Sequence, residues 1–170
     1  IDTPMAEWGT DLKTALYHFP YLPWTFLSAI PFHLLTNALF GWYDQRIVYL
    51  LLFVLMMWLV PKLTPIPTDK LCLAMILGLN PIMGNDVIFG QNDSFVFFWV
   101  VLTVYGLLRR QWPLAGIGLG LALASKPTTW FLLPFFLVYL WGSAERTDNR
   151  VAVCLKRLWP AALVSTILIL

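Results

Sequence analysis

Charge is what this chain has least of. Aspartate, glutamate, lysine and arginine make up 12% of its 170 residues, against about 25% in an ordinary soluble domain. With 59% hydrophobic and 16% aromatic residues, too little polar material remains to clothe a water-soluble surface. The eleven basic residues are scattered, the net charge is only +2, and no basic stripe interleaves with aromatics, which excludes a nucleic-acid footprint. Cysteine is nearly absent. Cys72 falls in an apolar run and Cys154 among basic residues, so no disulfide or metal-ligand spacing exists. His18 and His33 are too isolated for a metal site, and none is expected. No repeat of fixed period is visible. Gly116-Ile117-Gly118-Leu119-Gly120 has no strand before it, so it reads as small residues for close helix packing and not as a nucleotide loop.

What is present is a series of apolar runs: Ile47 to Val60, Leu71 to Met83, Phe95 to Leu108, Trp112 to Ala124, Thr128 to Trp141, and Leu158 onward. The expected fold is all-α, a polytopic transmembrane helical bundle forming one membrane domain, with about six transmembrane helices over 47–170. Each complete run gives about 20 Å of helix against a hydrocarbon core of about 30 Å, so polar flanks must lengthen them. The second run can continue through Asn80-Pro81 to Phe89 as a broken helix, bringing backbone carbonyls to the connector that follows. Over 21–40, prolines and polar residues clustered on half of a helical wheel (Thr25, Ser28, His33, Thr36, Asn37) favour an interfacial juxtamembrane helix over a spanning one. Residues 1–20 then form an extracytoplasmic loop. The chain starts at Ile1 without a leader pattern and stops inside an apolar run, as a fragment of a longer protein would.

The connectors alternate in charge. Lys62, Lys70, Arg109, Arg110, Arg146, Arg150, Lys156 and Arg157 fall in one set, and only Lys13, Arg46 and Lys126 in the other. By the positive-inside rule the first set is cytoplasmic and the second extracytoplasmic. Multi-pass insertion in a plasma (inner) membrane is expected, with the endoplasmic reticulum membrane as the alternative.

One connector stands out. Between Asn85 and Asp93, nine residues carry five polar side chains: Asn85, Asp86, Gln91, Asn92 and Asp93. Carboxylates flush with a bilayer are costly unless paired or facing water, and so point to function. A helix cap explains Asp93 or Asn92 alone, but not the cluster. Asn92-Asp93-Ser94 also fits the glycosylation pattern, a weak signal so close to a membrane. Lys126, on the same side, is either a snorkelling lysine or a cation at headgroup height suited to a phosphate.

The order Tyr17-His18-Phe19-Pro20-Tyr21-Leu22-Pro23, two membrane runs joined by a basic turn, Gly90-Gln91-Asn92-Asp93-Ser94, a run ending Arg109-Arg110, then Pro113 to Pro127 and Leu132-Leu133-Pro134 resembles the GT-C superfamily of integral-membrane glycosyltransferases. The closest likeness is to its polyprenyl-phosphate-mannose-type branch. The resemblance implies transfer of a sugar, mannose or a similar hexose, from a polyprenyl-phosphate donor to an extracytoplasmic glycan, lipid or protein acceptor. It implies inversion at the sugar and no cofactor beyond the lipid-linked donor. Asp93 and Lys126 are then catalytic candidates, as is Asp11 among the acids Asp2, Glu7 and Asp11 of the first loop. Asp86, Gln91 and Asn92 would bind substrate, with Tyr17, His18 and Tyr21 at the loop entrance. Two rival readings are a transporter or flippase segment built on the broken helix, and a non-catalytic membrane scaffold subunit. The enzyme reading requires Asp93 and Lys126 to meet at one aqueous mouth.

Overall fold

The computed structural model describes residues 21–144 and 149–170, and those residues are helical with no strand among them. A short helix α1 (Trp24–Leu27) leads into α2 (Ile30–Phe40), which Gly41 ends in a left-handed turn (φ 71°). Helix over 21–40 is thus in two pieces, broken at Ser28-Ala29 just before Pro31. There follow α3 (Arg46–Leu59), α4 (Pro67–Gly78), α5 (Pro81–Phe89), α6 (Asp93–Leu108), α7 (Trp112–Leu123), α8 (Leu133–Ser143) and α9 (Arg150–Ile169), with 3₁₀ turns at Val60–Lys62 and Pro127–Leu132.

Two apolar clusters hold these helices together. Val48, Leu52, Met56 and Leu59, spaced along one face of α3, meet Phe95, Val96, Phe98 and Val101 of α6. Ala115, Leu119 and Leu123 of α7 meet Phe136 and Leu140 of α8 and Ala161 of α9. The outward face of α3 is apolar too: Leu50, Leu51, Val54, Leu55 and Trp58 are all exposed. A helix apolar all round belongs in protein interior or lipid, and so much exposed hydrocarbon is foreign to a soluble monomer.

The break expected at Asn80-Pro81 is present. Pro81 has no N–H to offer the preceding turn, the Asn80 side chain caps α5 by accepting from the Ile82 N–H at 3.0 Å, and α4 and α5 meet at 44°. The glycine run of α7 acts as packing. A Cβ at Gly118 would lie 2.8 Å from Thr103 Oγ1 of α6, while Cβ atoms at Gly116 and Gly120 would lie within 3 Å of Pro160 and Val164 side chains of α9. Helix α7 therefore sits between α6 and α9 at backbone-to-backbone range.

Three expectations need amendment. Among the described residues, one helix, α9, is by itself long and apolar enough to cross a bilayer, and the bent α4–α5 pair becomes a second if it is one span. Helices α6 and α7 are apolar but shorter, at 16 and 12 residues. Six spans are therefore not established. Helix α9 also begins at Arg150, eight residues ahead of the apolar run, so Cys154, Lys156 and Arg157 are helical and not part of a loop. They fit because Arg157 lies over the Trp112 ring (3.9 Å to its centroid) and donates to Ser143 Oγ at 3.0 Å, which keeps its charge at the rim. Finally, the run from Thr128 opens with a 3₁₀ turn, because Pro127 precedes it and the backbone must turn before α8.

Three residues of the basic connectors, Lys62, Lys70 and Arg109, line one cleft. Arg109, after α6, donates to the Lys62 carbonyl after α3 at 3.3 Å. The acidic connector before α6 is at the other end, about 24 Å away along 16 residues of helix.

Candidate active site

The carbonyls of residues 121–125, at and just past the end of α7, each accept a donor from beyond the helix. Ser125 Oγ donates to Leu121 O (2.6 Å), Thr129 Oγ1 to Ala122 O (2.8 Å) and Trp130 Nε1 to Leu123 O (3.0 Å). The last two take donors from the start of the described chain: Trp24 N–H to Ala124 O (3.1 Å) and Leu22 N–H to Ser125 O (2.9 Å). Residues 22–24 are thereby stitched to the loop that carries Lys126. Pro127 bars its predecessor from helical angles, and Lys126 is extended at φ −148°, ψ 133°. Its ammonium is projected across to Asp93.

Asp93 is the first residue of α6, where a carboxylate also suits the positive end of the helix dipole. Lys126 Nζ and Asp93 Oδ1 form an ion pair, and the ammonium lies 5.7 Å from the centroid of the Tyr21 ring. The pair stays accessible, with the Asp93 side chain 52% and the Lys126 side chain 26% exposed. Thus the two candidates, 33 positions apart, share one mouth. The capping explanation of Asn92 is not seen, since its side chain makes no cap bond.

Behind the pair lies a buried polar layer. Asp86 is 2%, Asn92 3% and Ser94 0% exposed. Asp86 Oδ2, both side-chain polar atoms of Asn92, and Ser94 Oγ have no hydrogen-bond partner among the described residues. Buried polar atoms are nearly always bonded to protein or ordered water, so the partners of this layer lie outside the described residues. Gly90 makes it possible: at φ 71° it ends α5 and reverses the chain, after which the Gln91 N–H donates to the Asp86 carbonyl at 2.7 Å. Gly90→Ala is expected to destabilise the protein by about 1 kcal/mol, because a Cβ disfavours this conformation, and a lowered thermal midpoint in detergent would register it.

A cleft of about 310 Å³ opens beside this layer, lined by Tyr21, Thr25, Phe26, Gln45, Tyr49 and Asn92 among others. Of the residues singled out in the sequence, Tyr21 and Asn92 line this cleft, Lys126 pairs with Asp93 and lies near the Tyr21 ring, Asp86 is buried, and Gln91 is exposed in the connector. Asp11, Tyr17 and His18, like Asp2 and Glu7, lie outside the described residues. Sequence reasoning gave no site role to Ser94, Thr25, Gln45 and Tyr49, whose residue types are ordinary in an apolar helix or at its end. It also gave no role to Arg46, whose guanidinium approaches the Ile88 carbonyl at 3.4 Å and pairs with Asp44 at 2.5 Å. The hydrogen bonds from Arg46 hold the Asp44 carboxyl below the usual carboxylate range.

An accessible lysine held over a carboxylate, backed by unpaired polar groups at one end of an apolar bundle, suits a ligand with a charged head and several hydroxyls. No match is found among curated proteins or among solved structures. The sequence model of glycosyltransferase family 87 does match, over residues 19–169, which takes in every element described above. The chain therefore belongs to glycosyltransferase family 87, a membrane-associated family of the GT-C type, and is a glycosyltransferase.

Proposed function

We propose that this glycosyltransferase moves a sugar, mannose or a similar hexose, from a polyprenyl-phosphate donor to a glycan, lipid or protein acceptor on the extracytoplasmic side of its membrane. The observation that carries the reading is the accessible Lys126–Asp93 pair set against the buried Asp86, Asn92 and Ser94. A phosphate at headgroup height can displace the Asp93 carboxylate from the ammonium, because a pair this exposed is held weakly. The transferred sugar then lies in the cleft that Gln45 and Asn92 line, with Asp86 and Ser94 buried behind it.

In the reaction an acceptor oxygen bonds to the anomeric carbon as the bond from that carbon to the phosphate oxygen breaks, with inversion. The acceptor proton passes to a carboxylate, and the lipid leaves as a polyprenyl phosphate. A hydroxyl is a poor nucleophile at neutral pH, so the carboxylate must be within hydrogen-bond reach. Asp93, released from Lys126 by the incoming phosphate, is one such group, and Asp11 in the first loop is the other candidate. Lys126 stabilises the charge that grows on the leaving phosphate. The donor brings its own leaving group, so the reading calls for no cofactor. The connector carrying Lys126 is extracytoplasmic on this reading, and the end that gathers Lys62 and Arg109 is cytoplasmic. The membrane is crossed several times, with the short helices completed by polar flanks, and the bacterial-type plasma membrane fits better than the endoplasmic reticulum.

The 44° break between α4 and α5 is also what a lipid-flipping segment would show. Full-length protein in vesicles, given radiolabelled polyprenyl-phosphate sugar, separates the two. Label transferred to acceptor with release of polyprenyl phosphate is the expected outcome. Movement of intact donor between leaflets without bond cleavage supports the flippase reading.

A further inference from the structure

A basic cleft of about 450 Å³ lies at the end of α6 opposite Asp93, lined by Lys62, Thr64, Lys70, Leu108 and Arg109 among others. Its three cations come from three elements: the turn after α3, the first turns of α4, and the residue after α6. Among the described residues none of the three is in an ion pair. Lys62 is drawn over the Trp58 ring (2.7 Å to its centroid), and Arg109 is fixed by its bond to the Lys62 carbonyl, so two of the three cationic groups are positioned. Among the described residues of this connector the carboxylate is Asp69, which accepts from Thr64 Oγ1 at 3.5 Å.

The same Leu108 also lines a second cavity, an almost wholly apolar groove of about 280 Å³. It follows Val100, Val104 and Leu108 down one face of α6, with Leu119 of α7 and Phe136 and Tyr139 of α8 opposite. A narrow hydrocarbon slot that ends in a cluster of cations matches a molecule with a chain and an anionic head.

We propose that this composite site holds one anionic phospholipid of the surrounding bilayer, its phosphate among Lys62, Lys70 and Arg109 and one acyl chain in the groove along α6. Basic recesses between helices at a membrane surface are suited to such headgroups. The site is separate from the Lys126–Asp93 pair, which lies at the other end of a helix about 24 Å long. The inference rests on the chain's seating in a membrane and not on sugar transfer.

Full-length protein in detergent, incubated with equal phosphatidylglycerol and phosphatidylcholine and weighed by native mass spectrometry, should retain one phosphatidylglycerol in preference. Lys70→Gln and Arg109→Gln should each weaken retention about fivefold, and Lys70→Arg should preserve it. Val104→Trp, which fills the groove and leaves the charge alone, should also release the lipid. Equal retention of both lipids, or retention unchanged in these variants, overturns the proposal. So does displacement of the lipid by equimolar inorganic phosphate, which would mark a free-anion site. Lipid retained by a protein inactive in sugar transfer sinks only the proposed function; transfer without selective retention sinks only this one.

Discussion

Lys126→Ala is expected to lower sugar transfer by the full-length enzyme more than about tenfold, and Asp93→Asn to do the same, while protein level and thermal midpoint hold. The two halves of that expectation have separate physical grounds. The pair is accessible, with Asp93 half exposed, and exposed ion pairs contribute about 0–1 kcal/mol to stability. Tenfold in rate corresponds to about 1.4 kcal/mol of transition-state stabilisation, more than the pair can be worth as a structural link. Loss of activity at unchanged stability thus reports on charge facing the reaction. Lys126→Arg keeps the cation but spreads it over a larger planar group, and should fall between alanine and wild type. Near-normal turnover in both Lys126→Ala and Asp93→Asn would falsify their catalytic assignment and leave the buried layer behind them to carry the site.

That pair was open to sequence reasoning because each partner is out of place by composition. A lysine among the connectors that hold few basic residues, and a carboxylate between two apolar runs, both need a reason, and each is the other's nearest one. The break at Asn80-Pro81 was legible because proline has a single local effect. The small residues of α7 were legible because only packing needs them at helical spacing.

Other features left no such trace. Residues 22–24 join the Lys126 loop through backbone N–H and carbonyl groups, which every residue except proline carries, so nothing in the side chains announces it. Burial of Asp86 is set by the reversal at Gly90 and the neighbouring helices, and a carboxylate in a polar stretch reads as exposed until those are known. The start of α9 was misplaced because Arg150, Lys156 and Arg157 suggest a loop. Long basic side chains can instead lie along an apolar helix and reach its rim, as Arg157 does over Trp112. Helix lengths were the least legible feature. Apolar runs mark what contacts hydrocarbon, while helix ends are set by prolines and glycines, and the two boundaries do not coincide.

Gly106→Leu is expected to be the most damaging single substitution in the helical frame. A Cβ at Gly106 of α6 would stand 2.6 Å from the Ala115 backbone nitrogen and 2.9 Å from its Cα, atoms that cannot rotate away. Overpacking of this sort costs about 1–3 kcal/mol, and a leucine side chain extends the clash along α7. Gly106→Ala should show the same effect in smaller measure. Gly84→Ala is the matched control: its Cβ would meet nothing within 4 Å, and alanine inside a helix is favoured over glycine by about 0.5–1 kcal/mol, so its midpoint should hold or rise. The contrast bears on function because α6 begins at Asp93 and α7 leads directly into Lys126. Whatever forces these two helices apart also separates the carboxylate from the ammonium, although Gly106 touches neither. Transfer should therefore fall in Gly106→Ala in proportion to its loss of stability. If Gly106→Ala melts with wild type and transfers sugar normally, helix spacing is not what holds Asp93 and Lys126 together, and the backbone stitching of residues 22–24 to the Lys126 loop must do it alone.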